Sequence, residues 1–166
     1  MPEGRMKNRY VFPILNSKEV LLGFTGRYLY DNEKVPKWKH LGDKSQWIYP
    51  FQINYETIKK QKEVILIESV GDMLALWEAG IENSMVIFGL DVSVPQLNAL
   101  IRLDPNKIII SLNNDEKNNS AGNVAAKKLE RKLLKYFDVS QVLVKLPDKN
   151  DFGEMSVQQI KEWKLT

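Results

Sequence analysis

The sequence predicts an α/β protein: a parallel sheet with helices on both faces, preceded by a small basic α+β subdomain. Two patterns support this fold class. In residues 61–166, continuous apolar runs alternate with segments of helical periodicity, as in a parallel sheet that is covered on both faces. In residues 1–60, β-rich segments are separated by turn-forming residues, which favours antiparallel pairing. The predicted domains are therefore 1–60 and 61–166.

Four apolar runs are predicted to be the parallel strands. They cover residues 64–69, 85–89, 107–112 and 141–147. Each run is continuously apolar instead of alternating between apolar and polar residues, because strands of such a sheet are buried on both faces.

Helices are predicted after the first three runs and near the end of the chain, over residues 156–164. In the second helix Pro95 suits the first turn, and Leu97, Leu100 and Ile101 share one face. The third helix is predicted over residues 120–137. Its apolar stripe has a spacing of four residues and consists of Ala121, Ala125, Leu129 and Leu133.

The first 60 residues contain three segments predicted to be extended. Two of them, "RYVFPIL" and "VLLGFTGRYL", flank a turn at residues 16–19, and the third is "SQWIYPFQI". Between them, residues 34–40 are predicted to form a basic loop with interleaved aromatics. Trp38 in this loop suits either base stacking or simple core packing.

The composition excludes several kinds of site. The chain has no cysteine, so it can form neither a disulfide nor a cysteine-bound zinc site, and His40 is its one histidine. No apolar run approaches the ~20 residues that span a bilayer, and the first ten residues lack the apolar region of a signal peptide. We therefore expect a cytoplasmic protein with no membrane partner.

Charge is distributed unevenly along the chain. Residues 1–60 hold 11 Lys/Arg against 6 Asp/Glu, whereas residues 61–166 hold 13 against 15. A basic half beside an acidic half suits a nucleic-acid-contacting module next to a cation-binding one. Ordinary variation of surface charge explains the same numbers equally well.

Oxygen-bearing side chains follow the predicted strands at one end of the sheet, where open parallel sheets bind their ligands. They are Glu68 and Asp72 after the first strand, Asp91 after the second, Asn113, Asn114, Asp115 and Glu116 after the third, and Asp148, Asp151 and Glu154 after the fourth. Crowded carboxylates repel each other unless a cation compensates. Hard oxygen ligands favour Mg²⁺ or Mn²⁺, which would also hold a substrate phosphate.

Three segments that follow the predicted strands resemble motifs of the TOPRIM domain. This domain is shared by bacterial-type primases, type IA and type II topoisomerases and some nucleases. They are "IESVGDMLAL", "VIFGL" and "SLNNDEKNNSAGNVAA". The flanking segments "YVFPILNSKEVLLGFTGRYL", "VPKWKHL" and "LPDKNDFGEM" resemble the RNA-polymerase core of bacterial and phage DNA primases. The resemblance extends from about Arg9 to Glu154.

This resemblance implies an activity and a set of site residues. The activity is metal-dependent synthesis of short RNA primers on single-stranded DNA during DNA replication, with Mg²⁺ or Mn²⁺ as the cofactor. The implied catalytic residues are Glu68, Asp115 and Asp151, which would also bind the metal together with Asn113, Asp72 and Glu154. The implied contacts to template, primer or nucleotide phosphates are Arg9, Arg27, Lys37 and Lys39.

The implied partners are a single-stranded DNA template, ribonucleoside triphosphates and the RNA primer. A replicative helicase and a separate zinc-binding or template-recognition module are also expected, because the chain has no cysteine for a zinc site of its own. The chain departs from the family pattern at four places. Ser69 replaces a glycine, Asn113 replaces the first aspartate of its motif, "EKNNS" is inserted after Asp115, and Gly153 replaces an acid.

Three alternatives remain beside the primase interpretation. A TOPRIM nuclease would use the same metal cluster, although "GFTGR" and "PKWKH" favour a primase. A catalytically degenerate, nucleic-acid-binding TOPRIM protein is supported by Asn113, since an amide lacks the charge of a carboxylate. A generic doubly wound nucleotide-binding domain is the least favoured, because no P-loop or Gly-rich dinucleotide motif follows any strand.

Overall fold

The structure is a computed structural model that describes residues 4–115 and 120–166. Two sheets and five α-helices lie within these residues. The elements in chain order are β1 (Arg9–Leu15), β2 (Leu21–Tyr28), β3 (Trp38–Gly42), α1 (Phe51–Gln61), β4 (Glu63–Ile67), α2 (Val70–Glu78), β5 (Ser84–Val86), α3 (Val94–Leu103), β6 (Lys107–Ile110), α4 (Ala121–Leu133), β7 (Val142–Val144) and α5 (Val157–Leu165). Single 3₁₀ turns lie at Lys44–Gln46 and Phe152–Glu154.

The first sheet is antiparallel, with the order β1-β2-β3. The predicted turn between β1 and β2 is confirmed, and the Asn16 Oδ1 atom accepts hydrogen bonds from the backbone N–H groups of Lys18 and Val20. Residues directly opposite each other share a face of an antiparallel sheet. One face therefore carries, from the three strands, Tyr10, Phe12, Thr25, Arg27, Trp38 and His40.

Two predictions for the first 60 residues are wrong. The third strand is Trp38–Gly42, which begins within the predicted loop, while the predicted extended segment at residues 45–53 overlaps the end of a 3₁₀ turn and the start of α1. Helix α1 buries Asn54 and Ile58, four residues apart. Because one of these two is polar, the apolar periodicity of the helix is not visible in the sequence.

The second sheet is parallel, with the order β5-β4-β6-β7. Successive residues of its strands point to opposite faces. Leu66 and Ile110 pack in a cluster with residues of α1, α3 and α4, whereas Ile65, Ile67 and Ile109 pack with residues of α2 and α5. The predicted α/β fold, with helices on both faces of a parallel sheet, is confirmed.

Some predicted boundaries and faces differ from the structure. Strand β5 ends at Val86 instead of residue 89, because the backbone turns at Phe88, where φ is 56°. Helix α4 ends at Leu133 instead of residue 137, where a tighter turn follows. Ala121 and Ile101 are exposed, so neither belongs to the apolar face predicted for it.

The two sheets share one hydrophobic cluster. Ile14 of β1 and Trp47, both fully buried, pack with the strand residues that face α2 and α5. Gln96 reinforces this junction, since its side-chain amide donates to the carbonyl oxygens of Trp47 and Val86. The domain boundary near residue 60 stays a prediction, and α1, which precedes it, packs on the parallel sheet through Ile58. Within the described residues, no helix has the length and apolar character needed to span a membrane.

Candidate active site

Glu68 links the ends of β4 and β6. It directly follows β4, and its Oε1 atom accepts a hydrogen bond of 3.0 Å from the backbone N–H of Asn113. Burial raises the pKa of the Glu68 carboxyl, and the negative charges of Asp72, Asp115 and Asp151 raise it further, against the opposing effect of the Asn113 hydrogen bond. The predicted carboxylates therefore act on one another at this edge of the sheet.

Asp72 is buried and accepts three hydrogen bonds. Its Oδ2 atom accepts from the backbone N–H and the hydroxyl of Ser69, at 3.1 and 2.8 Å, which completes a capping box at the start of α2. Its Oδ1 atom accepts from the backbone N–H of Phe152 at 3.2 Å. Burial raises the pKa of Asp72. These contacts join the segment after β4 to the segment that carries Asp151, so Asp72 positions the site.

Asp115 is held against the start of α4. Its Oδ1 atom accepts a hydrogen bond of 2.9 Å from the backbone N–H of Gly122. A Cβ atom at Gly122 would lie 2.1 Å from the carbonyl oxygen of Asn113, so only glycine fits this close approach. The Ala-Gly that follows the acidic motif in the sequence therefore has a steric reason. The inserted residues 116–119 lie outside the described part of the chain.

Asp151 and Glu154 lie on the loop after β7. Asp151 caps the 3₁₀ turn there, with its Oδ1 atom accepting from the backbone N–H of Glu154 at 3.0 Å. A hydrogen bond of 2.7 Å from the backbone N–H of Asn114 to the carbonyl oxygen of Asn150 ties this loop to the segment after β6. Asp151 is half-buried and Glu154 is exposed. The loop thus brings acids to the same edge as Glu68.

The donor chemistry of this edge suits a hard divalent cation. The side chains are carboxylates and amides, which Mg²⁺ and Mn²⁺ prefer, and a cation would relieve the repulsion that raises the pKa of Glu68. A carboxylate has two oxygens, so a backbone hydrogen bond to one leaves the other to bind a cation. Within residues 4–115 and 120–166, however, no three His, Asp or Glu side chains lie close enough together to hold a metal ion.

A groove of about 390 Å³ separates the acidic edge from the first sheet. Arg27, Lys37 and Trp38 line one wall, while the opposite wall includes Asp72 and Asp151. The Arg27 guanidinium carbon lies 5.7 Å from the centre of the Trp38 ring. An anionic ligand could contact the cationic wall while it faces the carboxylates, as a substrate phosphate bound through a cation would.

Two of the four predicted phosphate contacts do not line this groove. The Arg9 guanidinium donates hydrogen bonds to the carbonyl oxygens of Gly26, Pro36 and Lys37, and so supports the loop that carries Lys37. Lys39 lies between Trp38 and His40 in β3, so its side chain points to the other face of the sheet. The structure brings Arg27 and Lys37 together at the groove, and the roles of Arg9 and Lys39 stay predictions.

Sequence reasoning missed other residues of the site. Tyr10 and Phe12 line the groove, and the spacing of two residues in "RYVFPIL" is the signal that places them on one face of a strand. The Ser69 cap was also missed, although Ser-x-x-Asp before an apolar run is the pattern of a capping box. Asp91, predicted at the acidic edge, pairs at 2.9 Å with Lys132 of α4.

The sequence is similar to a known protein family and to several known proteins. Residues 65–156 match the family described as Toprim-like. The DNA primase of Campylobacter jejuni is 38% identical over 114 residues, which cover 65% of this chain and 18% of that protein. The DNA primase of Helicobacter pylori is 34% identical over 136 residues, or 79% of this chain and 23% of that protein. The chain thus spans about a fifth of the length of these curated relatives.

Solved structures give the same fold. The RNA polymerase domain of the Mycobacterium tuberculosis primase DnaG matches with a TM-score of 0.75 and 22% identity, covering 96% of this chain and 55% of that chain. A DnaG primase catalytic domain bound to ssDNA matches with a TM-score of 0.73 and 21% identity, covering 97% of this chain and 52% of that chain. Together with the family match over more than half of the sequence, these findings show that the chain belongs to the Toprim-like family and is related to the bacterial DNA primases.

Proposed function

We propose that this chain is the RNA-polymerising core of a DNA primase, which makes short RNA primers on single-stranded DNA during replication. The observation that carries the proposal is the groove in which Arg27, Lys37 and Trp38 face Asp72 and Asp151. Such a groove can hold a polyanionic substrate against carboxylates, as nucleotidyl transfer requires. Sequence kinship with proteins named DNA primase selects this activity among the reactions that such a site can support.

The two walls of the groove have different roles in this reaction: one binds phosphates and a base, and the other carries carboxylates. Arg27 and Lys37 bind the phosphates of nucleotide or template, and Trp38 offers an aromatic face for a base. Asp151 presents its carboxylate at the other wall of the groove. Glu68 and Asp115 lie further along the same edge of the parallel sheet, and backbone hydrogen bonds fix the orientation of all three carboxylates. The 3′ hydroxyl of the primer attacks the α-phosphate of the nucleotide, and pyrophosphate leaves in line with the attack.

A divalent cation, Mg²⁺ or Mn²⁺, completes the proposed site. Glu68, Asp115 and Asp151 would hold it together with the substrate phosphate, since no three described His, Asp or Glu side chains lie close enough to hold a cation by themselves. Asp72, Asn113 and Glu154 are the neighbouring oxygen donors predicted from the sequence. When bound, the cation stabilises the negative charge that develops on the transferring phosphate and on the leaving group. Of the neighbouring residues, Asp72 already accepts three hydrogen bonds, which favours support over direct coordination.

The proposed partners follow from the same kinship. They are a single-stranded DNA template, ribonucleoside triphosphates and the growing RNA primer. We also propose a replicative helicase, on the same kinship, and a separate zinc-binding or template-recognition module, because these residues include no cysteine that could bind zinc. A cytoplasmic location, in a bacterium or a phage-infected host, agrees with such partners.

A primer-synthesis assay tests the proposal. The purified chain is incubated with single-stranded DNA, radiolabelled ribonucleotides and Mg²⁺ or Mn²⁺, and the wild type is compared with Glu68→Gln. We expect cation-dependent oligoribonucleotides whose yield falls by about 100-fold or more in the variant, since Gln keeps the shape of Glu68 but removes its charge. Glu56→Gln is the control, because Glu56 is exposed on α1 and does not line the groove.

The same assay separates the alternatives. Cation-dependent cleavage of the DNA, without synthesis, would identify a nuclease that uses the same carboxylates. Binding of single-stranded DNA with neither reaction would identify a nucleic-acid-binding protein with a degenerate site. In that case Asn113→Asp, which adds a negative charge at the carboxyl edge, should preserve or raise the affinity for Mg²⁺. A clear loss of Mg²⁺ binding would argue against a metal role for Asn113.

A further inference from the structure

A second, smaller cavity lies beside the groove, between the first sheet and Glu68. It has a volume of about 180 Å³, and its walls include Thr25, His40, Glu68, Phe88 and Gly89. Trp38 and Ser69 line both this cavity and the groove, so the two are adjacent. Of the residues with a role in the proposed reaction, Glu68 and Trp38 also line this cavity, whereas Thr25 and His40 have no role assigned above.

Two buried polar atoms at this cavity have no hydrogen-bond partner among the described residues: the Thr25 Oγ1 atom and the His40 Nδ1 atom. The two residues are directly opposite each other on β2 and β3, so their side chains lie side by side. A buried polar atom without a partner destabilises the fold, because it has lost its hydrogen bonds to water and gained none in return. Such a pair beside a cavity indicates that a ligand supplies the missing hydrogen bonds.

His40 is suited to a neutral hydroxyl ligand. Burial lowers the pKa of its imidazole, and the positive charge of Lys44 lowers it further, so the ring is neutral at pH 7. A neutral imidazole offers one donor and one acceptor, and the Thr25 hydroxyl can both donate and accept. A ligand group with two neighbouring hydroxyls can satisfy both residues at once.

Gly89 lines this cavity and has no side chain to occupy it. A Cβ atom built on Gly89 would have no described heavy atom within 4 Å, and its backbone is not in the left-handed region. Neither packing nor conformation therefore demands glycine here, in contrast with Gly122. The missing side chain instead leaves space that a ligand can use.

The size of the cavity decides which part of a nucleotide fits. Pockets for complete drug-sized ligands have volumes of about 300–1,000 Å³, whereas one water occupies about 30 Å³ of liquid. A cavity of about 180 Å³ lies between these limits and suits a fragment of the size of a pentose. The adjoining groove, with Arg27 and Lys37, takes the charged phosphates.

We propose that this cavity is the ribose site of the incoming nucleotide, in which Thr25 recognises the 2′ hydroxyl and His40 the neighbouring 3′ hydroxyl. The inference rests on the proposed function and adds the basis on which the chain selects ribonucleotides over deoxyribonucleotides. A site that hydrogen-bonds a hydroxyl rejects the analogue that lacks it, because the buried polar groups are then left unpaired.

The test is competition binding, measured by fluorescence anisotropy with a ribonucleotide whose fluorophore is on the γ-phosphate. ATP and 2′-deoxyATP compete for the full chain in the presence of Mg²⁺. We expect the wild type to bind ATP at least about ten-fold more tightly than 2′-deoxyATP. Thr25→Val should bring this ratio close to one by weakening ATP alone, whereas Thr25→Ser, which keeps the hydroxyl, should preserve it. Gly89→Val adds a side chain to the wall of the cavity and should lower the affinity for both nucleotides.

Thermal unfolding without nucleotide provides a second measurement. Thr25→Val removes a buried hydroxyl that has no partner, so its melting temperature should equal or exceed that of the wild type. A folded Thr25→Val protein with an unchanged ratio of affinities would overturn the ribose site. The proposal would also be overturned if Gly89→Val left both affinities unchanged, or if Thr25→Val lowered the affinities for ATP and 2′-deoxyATP equally.

Primer synthesis by the same preparations separates the two proposals. If the wild type makes primers while Thr25→Val keeps the wild-type ratio of affinities, the ribose site is wrong and the primase function stands. If Thr25→Val loses the preference but the wild type makes no primers, the ribose site stands and the polymerase function is wrong. A wild type that binds no ribonucleotide contradicts both.

Discussion

At the scale of single residues, Glu68 is where function and stability oppose each other. Burial of its carboxyl raises the pKa of Glu68 above the ordinary value of 4.5. The negative charges of Asp72, Asp115 and Asp151 raise it further. A group with a raised pKa in the folded state contributes stability that is fully present below the unfolded pKa. That stability is lost as the pH rises through the folded pKa.

Glu68→Gln should therefore stabilise the protein at neutral pH in the absence of divalent cations. Gln does not titrate, and its side-chain oxygen can still accept the hydrogen bond from Asn113. We expect a higher urea midpoint than the wild type at pH 8 in EDTA and a difference that shrinks as the pH approaches 4. Added Mg²⁺ should raise the midpoint of the wild type more than that of the variant. A difference that grows on acidification would show that the sign of the pKa shift is wrong.

Gly122 gives a second prediction at this scale. In Gly122→Ala the new Cβ atom would meet the carbonyl oxygen of Asn113, so the start of α4 must move away from Asp115. We expect a loss of about 1–3 kcal/mol in the free energy of unfolding, as for other overpacked sites. Urea unfolding measures this loss. The control is Gly4→Ala, because Gly4 is exposed and no heavy atom lies within 4 Å of a Cβ atom built there. Equal stability of the two variants would contradict the close packing described for Gly122.

The sequence was sufficient to place the acidic residues but not their contacts. Glu68, Asp115 and Asp151 follow strands of one parallel sheet, and such strands end at a common edge, so their proximity follows from the pattern of apolar runs. The steric fit between Gly122 and Asn113 joins segments whose approach depends on the complete fold. No local pattern reveals such a contact.

At the scale of elements, helix α2 and the 3₁₀ turn Phe152–Glu154 are joined by one buried side chain. Asp72 caps α2 through Ser69 and also accepts from the backbone N–H of Phe152, 80 positions further along the chain. Phe152 itself is fully buried and stacks edge-on against Trp163 of α5, with 4.8 Å between the ring centres. The loop that carries Asp151 is therefore fixed from both sides.

Asp72→Ala tests this link. It leaves the buried N–H of Phe152 without its acceptor and removes the carboxylate half of the capping box, so we expect a loss of about 2 kcal/mol or more in the free energy of unfolding. Ser69→Ala is the matched control, because it removes only the capping hydroxyl and should cost about 1 kcal/mol. Urea unfolding at pH 7 distinguishes the two. If Asp72→Ala loses no more than Ser69→Ala, the hydrogen bond to Phe152 contributes little.

Elements were predictable where burial gives a regular pattern. The four parallel strands and most helices were identified because their buried positions are apolar and periodic. Helix α1 was missed because one of its buried positions is Asn54, whose side-chain amide donates to Ser84 and accepts from Trp77. Strand β3 was missed because its sequence, "WKHLG", is short and basic, and only pairing with β2 defines it.

At the scale of the whole molecule, the chain places a cationic wall opposite an acidic one. The uneven charge of the two halves fits this arrangement, but it does not identify the basic residues that form the cationic wall. That depends on the register of β2 and β3, which puts Arg27 opposite Trp38 and directs Lys39 to the other face. The fully buried Trp47 then joins both sheets in one cluster, a long-range contact with no local signature.

The salt dependence of DNA binding tests this division of charge. If the groove is the path of the nucleic acid, Arg27 and Lys37 each neutralise a phosphate, and each contact contributes about 0.7 to the slope of log K against log salt for a single strand. Arg27→Ala and Lys37→Ala should each reduce the slope by about that amount. Lys39→Ala should leave the slope near that of the wild type, because its side chain is on the opposite face. Fluorescence anisotropy with a labelled oligonucleotide, between 50 and 200 mM salt, gives the slopes. If Lys39→Ala changes the slope as much as Lys37→Ala does, the DNA contacts both faces of the first sheet, and the groove is not its main binding surface.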